Sequence, residues 1–235
     1  MIWYLAKPSA RQRTLEEISS AQPRLTAIPT GDEILLRGFY EVRGTAAHAE
    51  FELEIRPCSD SETGMPAVRE IGGRIPRDTD LHHVNGDGTL CVMLPEEYWF
   101  TYPGGLSLAD FLAGPLRRHL AAQEYVLGTG KWPGEEWAHG DAGVLEFYRG
   151  LFETDNDRVL RGLLEWALRD KLPTLMHCHC GSRRELRHCH GPLLQKLRER
   201  LPKDLLRRAL SAASSGVKKA PRVSWRMALK RKTGR

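Results

Sequence analysis

Alternating apolar and polar positions predict a small antiparallel sheet in the first third of the chain. Residues 49–55 alternate with a period of two, as expected of a strand that buries one face. Residues 34–40 form a second apolar run, and residues 67–71 form a weaker third run that Pro66 introduces. Apolar residues spaced among polar ones in residues 11–25 favour a short helix before the strands. The pattern therefore predicts a helix followed by an antiparallel meander.

The spacing changes to that of amphipathic helices after residue 106. Ser107 is a good N-cap for the first of these helices, and a second is predicted over residues 142–152. A third helix is predicted over residues 156–171, with one apolar stripe. One or two basic helices follow over residues 193–213, interrupted near Pro202. Strands followed by helices predict an α+β fold.

Residues 76–105 read as a long loop, because they are rich in Gly, Pro, Asp, Asn and His. The run Asn85–Gly88 is a turn signature, and Cys91 follows it closely. A long segment without regular structure inside a compact domain is usually functional. Cys91 is therefore a candidate for chemistry.

Length limits the number of domains, and the charge is concentrated at one end. A chain of 235 residues suits a domain of about 150 residues and a smaller one, or one large domain. The net charge is +5, and residues 218–235 hold eight Lys or Arg and no acid. We expect this end to be a flexible basic tail, and we favour this interpretation over contact with nucleic acid. Without a secretory signal or a long apolar segment, the protein is expected to be cytoplasmic and independent of membranes.

Five cysteines divide into a cluster and two single residues. Cys178, Cys180 and Cys189 lie close together, whereas Cys58 and Cys91 stand apart. In a cytosolic chain, an odd number of cysteines favours metal binding and catalysis over disulfides. Cys58 is expected to be inert.

Four potential metal ligands lie within residues 178–190, which read CHCGSRRELRHCH. Zinc prefers a tetrahedron of thiolate and imidazole ligands, which Cys178, Cys180, Cys189 and His190 would supply. The segment resembles the SEC-C motif, in which Cys-x-Cys is followed after eight residues by Cys and then Cys or His. The predicted cofactor is a structural zinc ion. Three further histidines remain possible competitors of His190, namely His177, His179 and His188.

The segment around Cys91 resembles the active-site stretch of ubiquitin-conjugating enzymes. Residues 83–92 read HVNGDGTLCV, with a Gly turn just before an apolar-Cys-apolar step. Trp99 stands eight residues after Cys91, matching a tryptophan common in that family. A helix, a meander with a Pro-led third strand, and a helix near Ser107 follow the family's order over residues 15–150. The resemblance implies a UBC-like fold with Cys91 as the carrier cysteine.

One position departs from the family pattern. The family usually has His-Pro-Asn, with the Asn eight residues before the cysteine, where this chain has His83 preceded by His82. Asn85 lies two residues too late. We expect His83 to support catalysis by hydrogen bonding or turn support. Asp87 is expected to form the turn, and Glu96 and Glu97 are expected to be ordinary exposed carboxylates.

The resemblances divide the chain into three parts. Residues 1–152 would form the UBC-like conjugating domain, and residues 153–213 a helical extension. The extension would contain the zinc motif, at about residues 174–192, and residues 214–235 would form the basic tail.

The resemblance implies a transferase of a bacterial ubiquitin-like pathway, including antiviral defence. Cys91 would receive a ubiquitin-like modifier from an activating enzyme as a thioester and pass it to a target amine. The zinc module would recruit a target or partner. One alternative is an inactive UBC-like protein whose zinc module and basic tail contact nucleic acid, ribosomes or a protein. Another is a cysteine hydrolase using Cys91 with His82, His83 or His119.

Overall fold

The chain divides into two compact units. A computed structural model describes residues 8–30, 33–43, 49–57, 64–77, 80–134 and 136–215. The first unit comprises Met1–Met93 and Gly105–Gly134, and the second comprises Leu94–Gly104 and Glu135–Arg235. Residues 135–152, which the sequence placed in the conjugating domain, belong to the second unit. Cys58 and most of the basic tail, residues 216–235, lie outside the described residues.

The first unit begins with a helix and a four-stranded antiparallel sheet. Its elements are α1 (Pro8–Ala21), β1 (Leu25–Thr30), β2 (Glu33–Val42), β3 (Ala49–Arg56) and β4 (Ala67–Glu70). The strands pair in the order β1-β2-β3-β4. The register places Ala27 opposite Leu36, Tyr40 opposite Phe51, and Ile55 opposite Val68. The α+β prediction with an antiparallel meander is confirmed.

The sequence pattern predicts some of these strands better than others. Along β3, Ala49, Phe51, Leu53 and Ile55 are buried at every second position, so the predicted period of two is confirmed. The sequence missed β1. This edge strand buries only Leu25 and contains Pro29, a residue that sheets tolerate at their edges.

A long helical segment follows the loop that carries Cys91. It consists of α3 (Leu108–Phe111), a π-helical turn (Leu112–Leu116) and α4 (Arg117–Thr129). The predicted cap is confirmed, since Ser107 Oγ accepts from the Asp110 backbone N–H at 3.0 Å. The buried Tyr40 hydroxyl donates to the Leu112 carbonyl oxygen at 2.7 Å, which joins the helical segment to the sheet.

The second unit is helical in its described part. Its helices are α2 (Pro95–Thr101), α5 (Gly140–Phe152), α6 (Asp157–Leu168), α7 (Gly191–Arg200) and α8 (Lys203–Ser214). Their apolar faces form one core, which includes Phe100, Phe147, Leu163, Leu197 and Leu206. The predicted interruption near Pro202 separates α7 from α8.

Two details of these helices bear on the sequence predictions. Asn156 caps α6, because its Oδ1 accepts from Arg158 N and Val159 N. The expectation of a loop throughout residues 76–105 is wrong over α2. Pro95 begins that helix, and Tyr98 and Phe100 are buried, so apolar packing stabilises a helix in a stretch whose composition suggested a loop.

In the described residues, no helix is both long and apolar enough to cross a membrane.

Candidate functional site

The cysteine cluster stands on a short antiparallel ladder in the second unit. His177 pairs with Glu185 as an isolated β-bridge, and Cys178 N donates to the Arg184 carbonyl oxygen at 2.8 Å. Leu186 N donates to the Met176 carbonyl oxygen at 2.8 Å, and the Leu186 side chain is fully buried in the unit's core. The ladder thus anchors the loop that it closes.

The structure brings the four predicted ligands together. The Sγ atoms of Cys178, Cys180 and Cys189 and a ring nitrogen of His190 all lie within 4.8 Å of one another. Cys180 Sγ is 3.4 Å from Cys189 Sγ, and Cys178 Sγ is 3.3 Å from His190 Nδ1. A tetrahedral zinc ion would separate such ligand atoms by about 3.5–3.8 Å. The cluster can therefore hold a metal ion.

A glycine turn allows the cluster to close. Gly181 follows the second cysteine with φ of 81°, a conformation that glycine adopts without steric cost. Its N–H donates to the Cys178 carbonyl oxygen at 3.4 Å, so the chain reverses directly after the Cys-x-Cys pair. The eight-residue excursion then returns Cys189 and His190 to the first two cysteines.

A backbone carbonyl sets the orientation of His190. Its Nε2 lies 3.1 Å from the carbonyl oxygen of Phe152, the last residue of α5. Because a carbonyl oxygen only accepts, Nε2 carries the proton and Nδ1 keeps its lone pair facing the thiols. This arrangement is typical of metal-ligating histidines, whose second nitrogen is held by an outer partner.

Hydrogen-bond donors surround the thiols. Ser182 Oγ lies 3.4 Å from Cys189 Sγ, and an Arg184 guanidinium N–H donates to the same sulfur at 3.8 Å. Burial raises the pKa of the Cys178 thiol to about 11. At Cys180 burial also raises the pKa, but hydrogen bonds from Ser182 and the neighbouring thiols outweigh it and lower the pKa to about 6. At Cys180 the hydrogen bonds thus favour the thiolate, the form that binds metal.

The competing histidines lie outside the cluster. His177 lies in the ladder, and His188 ends a 3₁₀ turn. The His179 ring packs on Trp166, with ring centroids 3.9 Å apart, and passes over Gly162 in α6. An added Cβ at Gly162 would lie 2.7 Å from that ring, so glycine provides the space for this contact.

Cys91 lies in the first unit at the end of a hairpin-like segment. Val84 pairs with Leu90, and Asn85 N donates to the Thr89 carbonyl oxygen at 2.7 Å. Asp87 Oδ1 accepts from both the N–H and the hydroxyl of Thr89, in agreement with its predicted turn role. These hydrogen bonds lower the pKa of the Asp87 carboxyl. Cys91 itself is half-buried.

The backbones of His83 and Cys91 are hydrogen-bonded to each other. The Cys91 N–H donates to the His83 carbonyl oxygen at 2.7 Å. The His83 side chain is buried, and its ring lies 4.2 Å from that of Trp132 between centroids. Asn85 is engaged in the turn, since its amide donates to Thr89 Oγ at 3.0 Å. His83 therefore supports the turn that carries Cys91.

A buried polar network behind this segment was missed by sequence reasoning. Gln123, which is fully buried on α4, donates through Nε2 to the His82 carbonyl oxygen and lies 3.1 Å from His119 Nε2. Its Oε1 lies 3.3 Å from His82 Nδ1. Burial, reinforced by His83, lowers the pKa of His119 to about 3, so this ring is neutral. The only sequence signal was the i, i+4 spacing of His119 and Gln123 on a helix.

The remaining residues singled out near Cys91 in the sequence belong to the second unit. Trp99 lies in α2, with its ring against Tyr98. Glu97 accepts from Trp137 Nε1 at 2.8 Å. The expectation of an exposed Glu96 is wrong, because its side chain is fully buried on the apolar side of α2. Burial raises the pKa of this carboxyl.

Comparisons with known proteins give no relative for this chain. No family model matches it, and neither the curated proteins nor the solved structures contain a match.

Proposed function

We propose that the first unit is a UBC-like conjugating domain that carries a ubiquitin-like modifier as a thioester on Cys91. The observation that carries this proposal is the half-buried thiol at the end of a braced segment, with its backbone tied to His83. A carrier cysteine needs fixed geometry together with access for a bulky partner, and such a segment supplies both. The element order of helix, meander, cysteine segment and helix supports the same assignment.

The transfer requires two acyl exchanges. The Cys91 thiolate attacks the thioester carbonyl on an activating enzyme, whose own thiolate leaves. A target amine then attacks the Cys91 thioester, the Cys91 thiolate leaves, and the amine proton passes to solvent. No step needs an oxidant or a metal. In this proposal, His83 acts through its carbonyl, by fixing the Cys91 backbone.

In the second unit, we propose that the metal is a structural zinc ion. Three thiolates and one imidazole are ligands that zinc prefers, and they would fill all four positions of a tetrahedron. The ion would supply folding energy to a loop that has little core of its own. Metal analysis of the purified chain should give about one zinc per chain, lost in the C178S/C180S double variant. A folded chain with no bound metal would contradict this assignment.

A thioester assay tests the conjugating function. The full chain is incubated with ATP and with pairs of activating enzyme and modifier from the same genome. The proposal predicts a covalent adduct that a reducing agent cleaves and that is absent from the C91A variant. The C178S/C180S variant controls for nonspecific acylation of the metal-site thiols.

The absence of any adduct, together with salt-sensitive nucleic-acid binding lost on deleting residues 218–235, would favour the alternative of an inactive binding protein. The exposed Arg183, Arg184 and Arg187, in the loop between Cys180 and Cys189, provide the charge that such a protein would use.

A further inference from the structure

The backbone of Cys91 is held from two sides within the first unit. Its own N–H donates to the His83 carbonyl oxygen, and the N–H of the preceding residue, Leu90, donates to the Val68 carbonyl oxygen on β4, each at 2.7 Å. Val68 belongs to the sheet, which already holds this carbonyl in place. The other contact is made by a loop residue, so the position of the thiol depends on how firmly His83 is held.

His83 adopts a conformation that needs support. Its φ is 49°, in the left-handed region that residues with a Cβ rarely occupy. Such a conformation persists where the surrounding structure determines it. The surroundings of His83 should therefore contain the groups that fix the Cys91 segment.

The amide of Gln123 supplies that support through the adjacent residue. Its Nε2 donates to the His82 carbonyl oxygen, while its Oε1 accepts from His82 Nδ1 at 3.3 Å. The second Nε2 hydrogen points to His119 Nε2, 3.1 Å away, and a neutral imidazole can accept it there. All polar groups of the Gln123 amide are thus engaged by histidines.

Apolar packing does not explain a glutamine at this position. Gln123 is fully buried, and burying a carboxamide is unfavourable unless its hydrogen bonds are made. A satisfied buried network specifies one arrangement of its members. Trp132 closes the other side, since its ring lies 4.2 Å from His83 and 5.6 Å from His119 between centroids.

We infer that Gln123 is a positioning residue for Cys91, acting through the His82–His83 backbone. The inference rests on the proposed carrier role of Cys91 for its functional meaning. The geometric chain runs from α4 to the His82 carbonyl, through His83, and to the Cys91 N–H. Trp132 assists by holding the His83 ring.

Hydrogen exchange at the Cys91 amide tests this role directly. The Q123M variant keeps the volume of the side chain but removes its hydrogen bonds. The matched control is V126A, which removes apolar volume from another buried position of the same helix. Exchange at Cys91 is measured by NMR in each full-length variant and normalised to amides in the buried strand β3, which report global opening.

We expect Q123M to raise normalised exchange at Cys91 by about tenfold, and V126A to leave it near the wild-type value. Equal values in the two variants would overturn the inference, since a merely structural role would affect both alike. If Q123M does not fold, W132A serves instead, because Trp132 is only half-buried. A W132A variant with wild-type exchange at Cys91 would then overturn it.

The thioester assay separates this inference from the proposed function. Raised exchange in Q123M with no adduct on the wild-type chain would support the positioning role and reject the carrier role. Adduct formation on the wild-type chain, with equal exchange in Q123M and V126A, would support the carrier role and reject the positioning role.

Discussion

The carbonyl oxygen of Phe152 accepts a hydrogen bond from His190 Nε2, at 3.1 Å, and thereby determines which imidazole nitrogen faces the three cysteines. Phe152 is the last residue of α5, where helical carbonyl groups lack intrahelical partners. A helix end thus orients a candidate metal ligand 38 residues away along the chain. The loop of residues 178–190 and the helical core of the second unit therefore depend on each other.

The first prediction concerns the identity of the fourth ligand. The H190A variant should lose more than about 100-fold in zinc affinity, because ligand loss should exceed the 10–100-fold effect of losing an outer partner. Competition with a chromophoric chelator measures the affinity. The H188A variant is the control, since His188 is exposed and lies outside the cluster. Wild-type affinity in H190A would show that the metal uses another ligand.

The second prediction compares two glycines in helices. Alanine at Gly162 would place a Cβ 2.7 Å from the His179 ring, so G162A should lower the free energy of unfolding by about 1–3 kcal/mol. At Gly128, in α4, no atom lies within 4 Å of the added Cβ. G128A should therefore raise the free energy of unfolding by about 0.5–1 kcal/mol.

Urea denaturation of both variants measures these changes. G162A should also alter Trp166 fluorescence, because it displaces the His179 ring packed on that indole. A stabilising effect of alanine at both positions would contradict the described contact between Gly162 and His179.

The third prediction concerns the buried carboxyl of Glu96. Burial raises its pKa above the unfolded value of 4.5. Arg208 opposes this shift by lowering the pKa, and Asp141 raises the pKa by a smaller amount. The folded state therefore holds this proton more tightly. The resulting stability is fully present below about pH 4.5 and is lost as the pH rises through the folded pKa. Burial and this carboxyl both raise the pKa of the Tyr148 hydroxyl.

The E96Q variant lacks this titration and should be more stable than the wild type at pH 7, by on the order of 1 kcal/mol. The difference should shrink as the pH falls towards 4.5. Urea denaturation at several pH values measures it, with E165Q, an exposed position on α6, as the control. A gain that is the same at all these pH values would show that Glu96 does not titrate as described.

Local chemistry made part of this structure predictable. Ser107 and Asn156 cap helices because their short side chains accept backbone N–H groups, a property visible in the sequence. The clustering of the candidate ligands was predictable for a similar reason, since a glycine turn and close spacing bring Cys178 and Cys180 together without help from distant residues. The alternating pattern of β3 needed only one buried face.

The rest depends on contacts between distant parts of the chain. Gln123 meets His82 across 41 residues, and no local pattern indicates that pairing. The choice of His190 over its neighbours depends on the Phe152 carbonyl, which only the folded chain provides. Glu96 has an ionisable side chain and follows a proline, so its burial is a property of the helical core and not of its sequence neighbours.

The most direct test of the carrier role is the C91S variant, incubated with ATP and the same activating enzyme and modifier pairs as the wild-type chain. An oxygen ester replaces the thioester when serine accepts the acyl group. We predict an adduct on the wild-type chain that dithiothreitol cleaves, and an adduct on C91S that resists dithiothreitol but yields to hydroxide. Intact mass spectrometry should show both. A dithiothreitol-sensitive adduct that persists in C91S, or no adduct on either chain, would contradict the account.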